Sequence, residues 1–292
     1  MASATLRAMA AADSSSSRAL RDVNARGVRT RALTAGNPKK PTLLLVHDFL
    51  VSHLEWEEVI DPLAEHFHVV APDLPGFGES EKPDPARYAY TIEALAEAVV
   101  DVIAALGVGR TAIVGHGLGA AIAITIAAQH AELVQRLVLE DALCYPPPRR
   151  LAPQLSLVPV VGGIFFKQFY SRAMFRSYFQ RLWFGPKSVV PLARVDRHYE
   201  LLSTPNARES AHAVLHAMFE TRPVIARLGR IQMPALVVWG HDDRLVPVSH
   251  GQRLAHEIAG AKLEILDAGH SPHEEAPERF VEHVTQFLLG RR

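Results

Sequence analysis

The stretch from Thr111 to Ile122, TAIVGHGLGAAI, decides the fold. Its first four residues are a short apolar run with β-branched members, which reads as a buried strand. Beyond Gly119 the chain turns alanine-rich, and a helix is predicted to about His130. Between strand and helix lies Gly115-His116-Gly117-Leu118-Gly119, with glycine at every second position. A turn this tight has no room for a side chain two positions either side of its centre, because it would collide with the strand or the helix. Gly115 and Gly119 fit that need.

Working outward, the same alternation recurs. Thr42–His47 reads as a buried parallel strand, Trp56–Phe67 as a helix, His68–Pro72 as a strand and Thr91–Leu106 as a helix. Val134–Leu139, Ala235–Gly240 and Lys262–Asp267 read as further strands, the last two followed by helices ending near Ile258 and Leu289. This order predicts an α/β fold, a mostly parallel doubly wound sheet covered on both faces. The pattern lapses between about Ala142 and Gln232, where most of the 12 phenylalanines fall. The expected organisation is a flexible N-terminal tail over 1–27, a core over 28–141 and 232–292, and an inserted helical cap over 142–231.

Composition narrows the function. With 31 basic and 31 acidic residues the 292-residue chain has no formal net charge, so no field for nucleic acid is present. No uninterrupted apolar run reaches the length of a transmembrane segment. One cysteine, Cys144, excludes an internal disulfide and suits a reducing compartment. Cytoplasmic localisation is expected, with organellar import through the Ser/Ala/Arg-rich Met1–Arg26 as the alternative.

The glycine turn resembles the nucleophile elbow of the α/β-hydrolase superfamily, the capped esterases, epoxide hydrolases, dehalogenases and ring-cleavage hydrolases. Other landmarks follow in the family's order. His47-Asp48-Phe49-Leu50 matches the oxyanion-hole loop, and Pro72-Asp73-Leu74-Pro75-Gly76-Phe77-Gly78-Glu79-Ser80 the loop after the next strand. Gly240-His241-Asp242-Asp243-Arg244-Leu245-Val246-Pro247 matches the acid loop and Gly269-His270-Ser271-Pro272-His273-Glu274-Glu275 the histidine loop. The resemblance implies an α/β-hydrolase fold, with Asp243 and His270 as catalytic acid and base and Asp141 as a fallback acid. It places the oxyanion-hole region at Asp48, Phe49 and Leu118, and a pocket near His47, His116, Phe165, Phe166, Phe169 and Trp183.

Two departures set the chain apart. Gly117 stands where the family has a nucleophile, and glycine cannot form a covalent intermediate. Asp48 stands where glycine is usual, and a carboxylate there opposes a developing oxyanion unless it is protonated or turned away. The expected function is chemistry without an acyl-enzyme on a small-to-medium hydrophobic substrate, with His270 and Asp243 as a general-base dyad. The alternatives are an inactive homologue that binds a hydrophobic ligand or a partner, and a serine hydrolase inactivated by substitution at 117. No cofactor is called for. His212 and His216 have metal-ligand spacing but no evident third ligand, so no metal site is expected. Oligomeric state leaves no trace in the sequence.

Overall fold

A computed structural model describes residues 18–146 and 171–290. The strands are β1 (Ala19–Ala25), β2 (Val28–Ala35), β3 (Thr42–Val46), β4 (His68–Pro72), β5 (Thr111–His116), β6 (Val134–Glu140), β7 (Ala235–Gly240) and β8 (Lys262–Leu266). They form one sheet in the order β1-β2-β4-β3-β5-β6-β7-β8. From β4 to β8 all neighbours are parallel, while β1, β2 and β4 pair antiparallel.

The uninterrupted apolar run of β3 follows from this two-sided arrangement. Leu44 and Val46 point into a core with Leu95, Val99, Val102 and the helix Leu118–Gln129. Leu43 and Leu45 point the other way, onto Val59, Ile60 and Leu63 of the helix Glu57–Ala64 and onto Phe280 and Val284 of Pro277–Leu288. The helix Leu118–Gln129 is buried nearly all round, which explains why it carries alanine and isoleucine on every face.

Two expectations are corrected. The tail expected over 1–27 contains β1, which pairs with β2 along its whole length from Ala19↔Thr34 to Ala25↔Val28. The hairpin turns at Arg26 and Gly27, with φ of 53° and 80°, the conformation of a tight two-residue connection. β1 escaped notice because it is a polar edge strand, exposed at five of its seven positions. Similarly, the helix expected from Trp56 begins at Glu57, preceded by a 3-10 turn over His53–Trp56.

Between β6 and β7 the described residues hold helices and no strand: Arg172–Tyr178, a π-turn Phe179–Trp183, Leu192–Leu202, Ala207–Met218 and Arg222–Arg227. Phe175, Phe179 and Trp183 stack in series, with centroids 4.9 and 4.8 Å apart. The pocket residues Phe165, Phe166 and Phe169 lie outside the described residues. No helix of the described residues is long and apolar enough to cross a membrane.

Candidate functional site

Because β3 and β5 to β8 run parallel, their carboxyl ends share one edge of the sheet, where ligands of such folds bind. Each end delivers a polar residue. β3 leads into His47 and Asp48, β5 into Gly117, β6 into Asp141, β7 into the loop carrying Asp243, and β8 into the loop carrying His270.

The turn after β5 is strained at its centre. Gly117 has φ 49° and ψ −109°, a conformation that L side chains rarely adopt. The flanking glycines answer to close approach. A Cβ on Gly119 would come closer than 3.0 Å to the Val46 carbonyl, and one on Gly115 equally close to the Gly119 carbonyl. Two non-glycine residues at the same edge also take positive φ, Leu50 at 66° and Asp141 at 40°.

At the centre sits His270, buried between two carboxylates. Its Nδ1–H donates to Asp243 Oδ2 at 2.7 Å and its Nε2–H to Asp48 Oδ2 at 3.1 Å. Burial works against its charge, but Asp243 and then Asp48 outweigh burial and raise its pKa well above the ordinary histidine value. Burial likewise opposes ionisation of Asp48, yet the His270 hydrogen bond leaves Asp48 below the usual carboxylate value. His270 is therefore an imidazolium at neutral pH. Its ring packs edge-on against Trp183 at 5.0 Å, and its backbone N–H donates to the Trp183 carbonyl at 2.7 Å.

Asp48 is neither protonated nor turned away, contrary to both sequence alternatives. Its Oδ1 accepts the Leu118 backbone N–H at 2.5 Å. A Cβ built on Gly117 would come closer than 3.0 Å to Cγ, Oδ1 and Oδ2 of Asp48 alike. The carboxylate thus fills the volume that a side chain at 117 would need.

Asp243 is fixed from its other side by the Leu245 and Val246 N–H groups, at 2.6 and 3.0 Å. Asp141 accepts the Gly240 N–H at 3.1 Å. Burial, reinforced by the charge of Asp243, pushes its pKa well above the carboxylate range, so it is a neutral neighbour of the ionised Asp243. Of the predicted residues, the structure brings Asp48, Leu118, Asp243 and His270 into one hydrogen-bonded set. Phe49 packs edge-on against Phe77 at 5.9 Å.

His47 and His116 are corrected from pocket residues to braces. His47 accepts the Leu74 N–H at Nε2, 2.9 Å, and Nδ1–H donates to the Asp48 carbonyl at 2.6 Å. His116 Nε2–H donates to the His270 carbonyl at 2.6 Å, while Nδ1 lies 3.1 Å from Glu55 Oε2. Both are fully buried behind the site.

A family model for the alpha/beta hydrolase fold matches residues 41–277. The chain belongs to the α/β-hydrolase fold family. It is similar to the uncharacterized hydrolase YugF of Bacillus subtilis (strain 168), 29% identical over 86% of this chain and 91% of that protein. It is also similar to the 2-hydroxy-6-oxo-6-(2'-aminophenyl)hexa-2,4-dienoic acid hydrolase of Metapseudomonas resinovorans, 28% identical over 93% of this chain and 91% of that one. The crystal structure of a hydrolase from Pseudomonas aeruginosa PA01 superposes with a TM-score of 0.79 at 28% identity, covering 92% of this chain and 98% of that chain.

Sequence reasoning missed four residues of this hydrolase-fold site. Glu55, Glu140, His273 and Glu275 brace the segments that carry Asp48 and His270. Glu275 accepts N–H groups of Gly185 and Gly269 at 2.7 and 2.8 Å, and that of Ser271 at 3.3 Å, and also bonds the Ser188 hydroxyl. It secures the His270 loop. His273 and Glu275 were visible within the histidine motif, but Glu55 and Glu140 gave no local signal, since their partners lie 61 and 133 residues away.

Proposed function

We propose that this protein is an enzyme acting on a small-to-medium hydrophobic molecule by proton transfer at His270, without a serine acyl-enzyme. In this reading position 117 is the family's nucleophile position. Gly117 leaves it without a covalent group, and Asp48 occupies the space. The observation that carries the reading is that one carboxylate fills the side-chain volume at 117 and bonds both Leu118 N–H and His270 Nε2–H.

The electrostatics reverse the order of roles expected from a resting general base. An imidazolium between two carboxylates starts as a proton donor. It gives its proton to a substrate oxygen or leaving group, and the neutral imidazole then takes a proton from water or a carbon acid. Asp243 holds the ring in place through both steps, and Asp48 stabilises the charged form that begins and ends the cycle. Segment 142–231 is proposed as the cap over this edge, its aromatic residues suiting an apolar ligand.

The test combines a fluorophosphonate probe with turnover of a panel of esters, lactones and ring-cleavage dienoates of the kind named for the Metapseudomonas relative. The wild type is expected to turn over a panel member without labelling. Asp48→Asn and His270→Gln are each expected to lower kcat by about 100-fold or more. Probe labelling of the wild type, or full activity in both variants, overturns the proposal. The position assignment is tested separately: Gly117→Ser has no room while Asp48 stays, so labelling is expected only when Asp48→Gly accompanies it.

A second reading, a ligand-binding protein without turnover, is favoured by the closure of the centre. His270 and Asp48 are 3% and 4% exposed and satisfy one another. Ligand binding with no turnover in the wild type selects that reading.

A further inference from the structure

Behind the Asp48–His270 pair lies a second cluster whose bonding pattern the proposed chemistry does not use. Glu55, His116 and His273 come from three separate elements: the 3-10 turn after β3, the last residue of β5, and the first turn after the His270 loop. None is more than 1% exposed. One donor atom from each lies within 4.8 Å of the other two.

The outer nitrogens of both histidines are committed elsewhere. His116 Nε2–H donates to the His270 carbonyl at 2.6 Å, and His273 Nδ1–H to Glu140 at 2.9 Å. That fixes His116 Nδ1 and His273 Nε2 as the nitrogens facing Glu55, each with its lone pair available. His273 Nε2 is buried and makes no hydrogen bond. An imidazole whose far N–H is held by a carboxylate or backbone carbonyl, with its near nitrogen aimed at other donors, is the usual arrangement of a metal-binding histidine.

We propose that Glu55, His116 and His273 form a binding site for one transition-metal dication of the zinc class. Two imidazole nitrogens and one carboxylate oxygen match the donor set of three-ligand zinc sites. Tetrahedral coordination sets donors about 3.3 Å apart. Glu55 Oε2 and His116 Nδ1 already stand at 3.1 Å, so the main adjustment falls on the His273 ring. Held there, a dication ties together the segments that carry Asp48, Gly117 and His270, since one ligand comes from each of them.

The test uses the full chain, stripped with a chelator and titrated with Zn²⁺ and Co²⁺ chloride. One ion per chain is expected by elemental analysis. The thermal midpoint should rise about 4–5 °C at a hundredfold excess over Kd, and Co²⁺ should give ligand-field bands of a low-coordinate nitrogen and oxygen site. His273→Gln should abolish uptake, while Asp48→Asn and His212→Gln should retain it. If His273→Gln fails to fold, the wild-type titration decides alone. No stoichiometric uptake and no thermal shift overturns the proposal. So does uptake lost with Asp48→Asn or His212→Gln but kept in His273→Gln. Nitrogen NMR that finds His273 protonated at Nε2 in metal-saturated protein also overturns it.

Discussion

Substituting Gly117 by alanine introduces one methyl group, and the structure allows its cost to be separated into two parts. The first is conformational. At φ 49° and ψ −109° a residue with a Cβ is strained by about 1–3 kcal/mol. The second is displacement of Asp48, since the new Cβ would come closer than 3.0 Å to all three of its carboxylate atoms. Moving that carboxylate breaks its bonds to Leu118 N–H and to His270, charge-assisted contacts worth about 1.5–3 kcal/mol each. With partial relaxation, the expected destabilisation is about 3–6 kcal/mol. The second part exists only while Asp48 is present, so a double-mutant cycle isolates it. In an Asp48→Ala background, Gly117→Ala should cost only the conformational part, giving a coupling of at least about 2 kcal/mol. Guanidinium unfolding followed by tryptophan fluorescence on all four proteins reads both quantities. Additivity within about 0.5 kcal/mol would refute the claim that the two residues share one volume.

Other outcomes follow from groups around the centre. Burial depresses the pKa of His198, beside the Ser52 hydroxyl at 3.3 Å, to about 3. Its contribution is therefore complete above the unfolded value near 6.5 and is lost as pH falls from there toward 3, because the unfolded chain takes up the proton first. Denaturant titrations should show stability falling in that window with a slope of up to about 1.4 kcal/mol per pH unit that His198→Leu removes; an unchanged slope counts against it. Glu275→Ala strands the N–H groups of Gly185, Gly269 and Ser271 and should cost about 3–5 kcal/mol. Glu275→Gln, which keeps one oxygen acceptor, should cost less, and equal losses in the two variants would contradict the hydrogen-bond account.

The parts of this fold that sequence disclosed share a physical cause. β3, β5 and β7 are buried on both faces, so their central residues are apolar on both sides, and the run is visible in any reading. β1 is polar and held by backbone pairing, which leaves no compositional mark. The same division applies at the site. Asp243 and His270 lie in loops whose glycines make them conspicuous, and they meet at 2.7 Å as the motifs imply. The orientation of Asp48 was not legible. Whether a carboxylate turns toward or away from a neighbouring turn depends on the space left at Gly117, 69 residues further along the chain, and on the charge of His270, 222 residues away. The direction of the His270 proton followed from that orientation, so it was hidden too.

The overlap between Asp48 and position 117 also constrains history. A chain with any side chain at 117 has no room for the Asp48 carboxylate in its present place, and a chain with that carboxylate has no room for the side chain. Passage between the two arrangements by single changes must therefore run in order: position 117 becomes glycine first, and only then can aspartate settle at 48. The return must begin at 48. Once both residues are in place, replacing Gly117 alone meets an occupied site, so the present pair acts as a ratchet against single changes at 117.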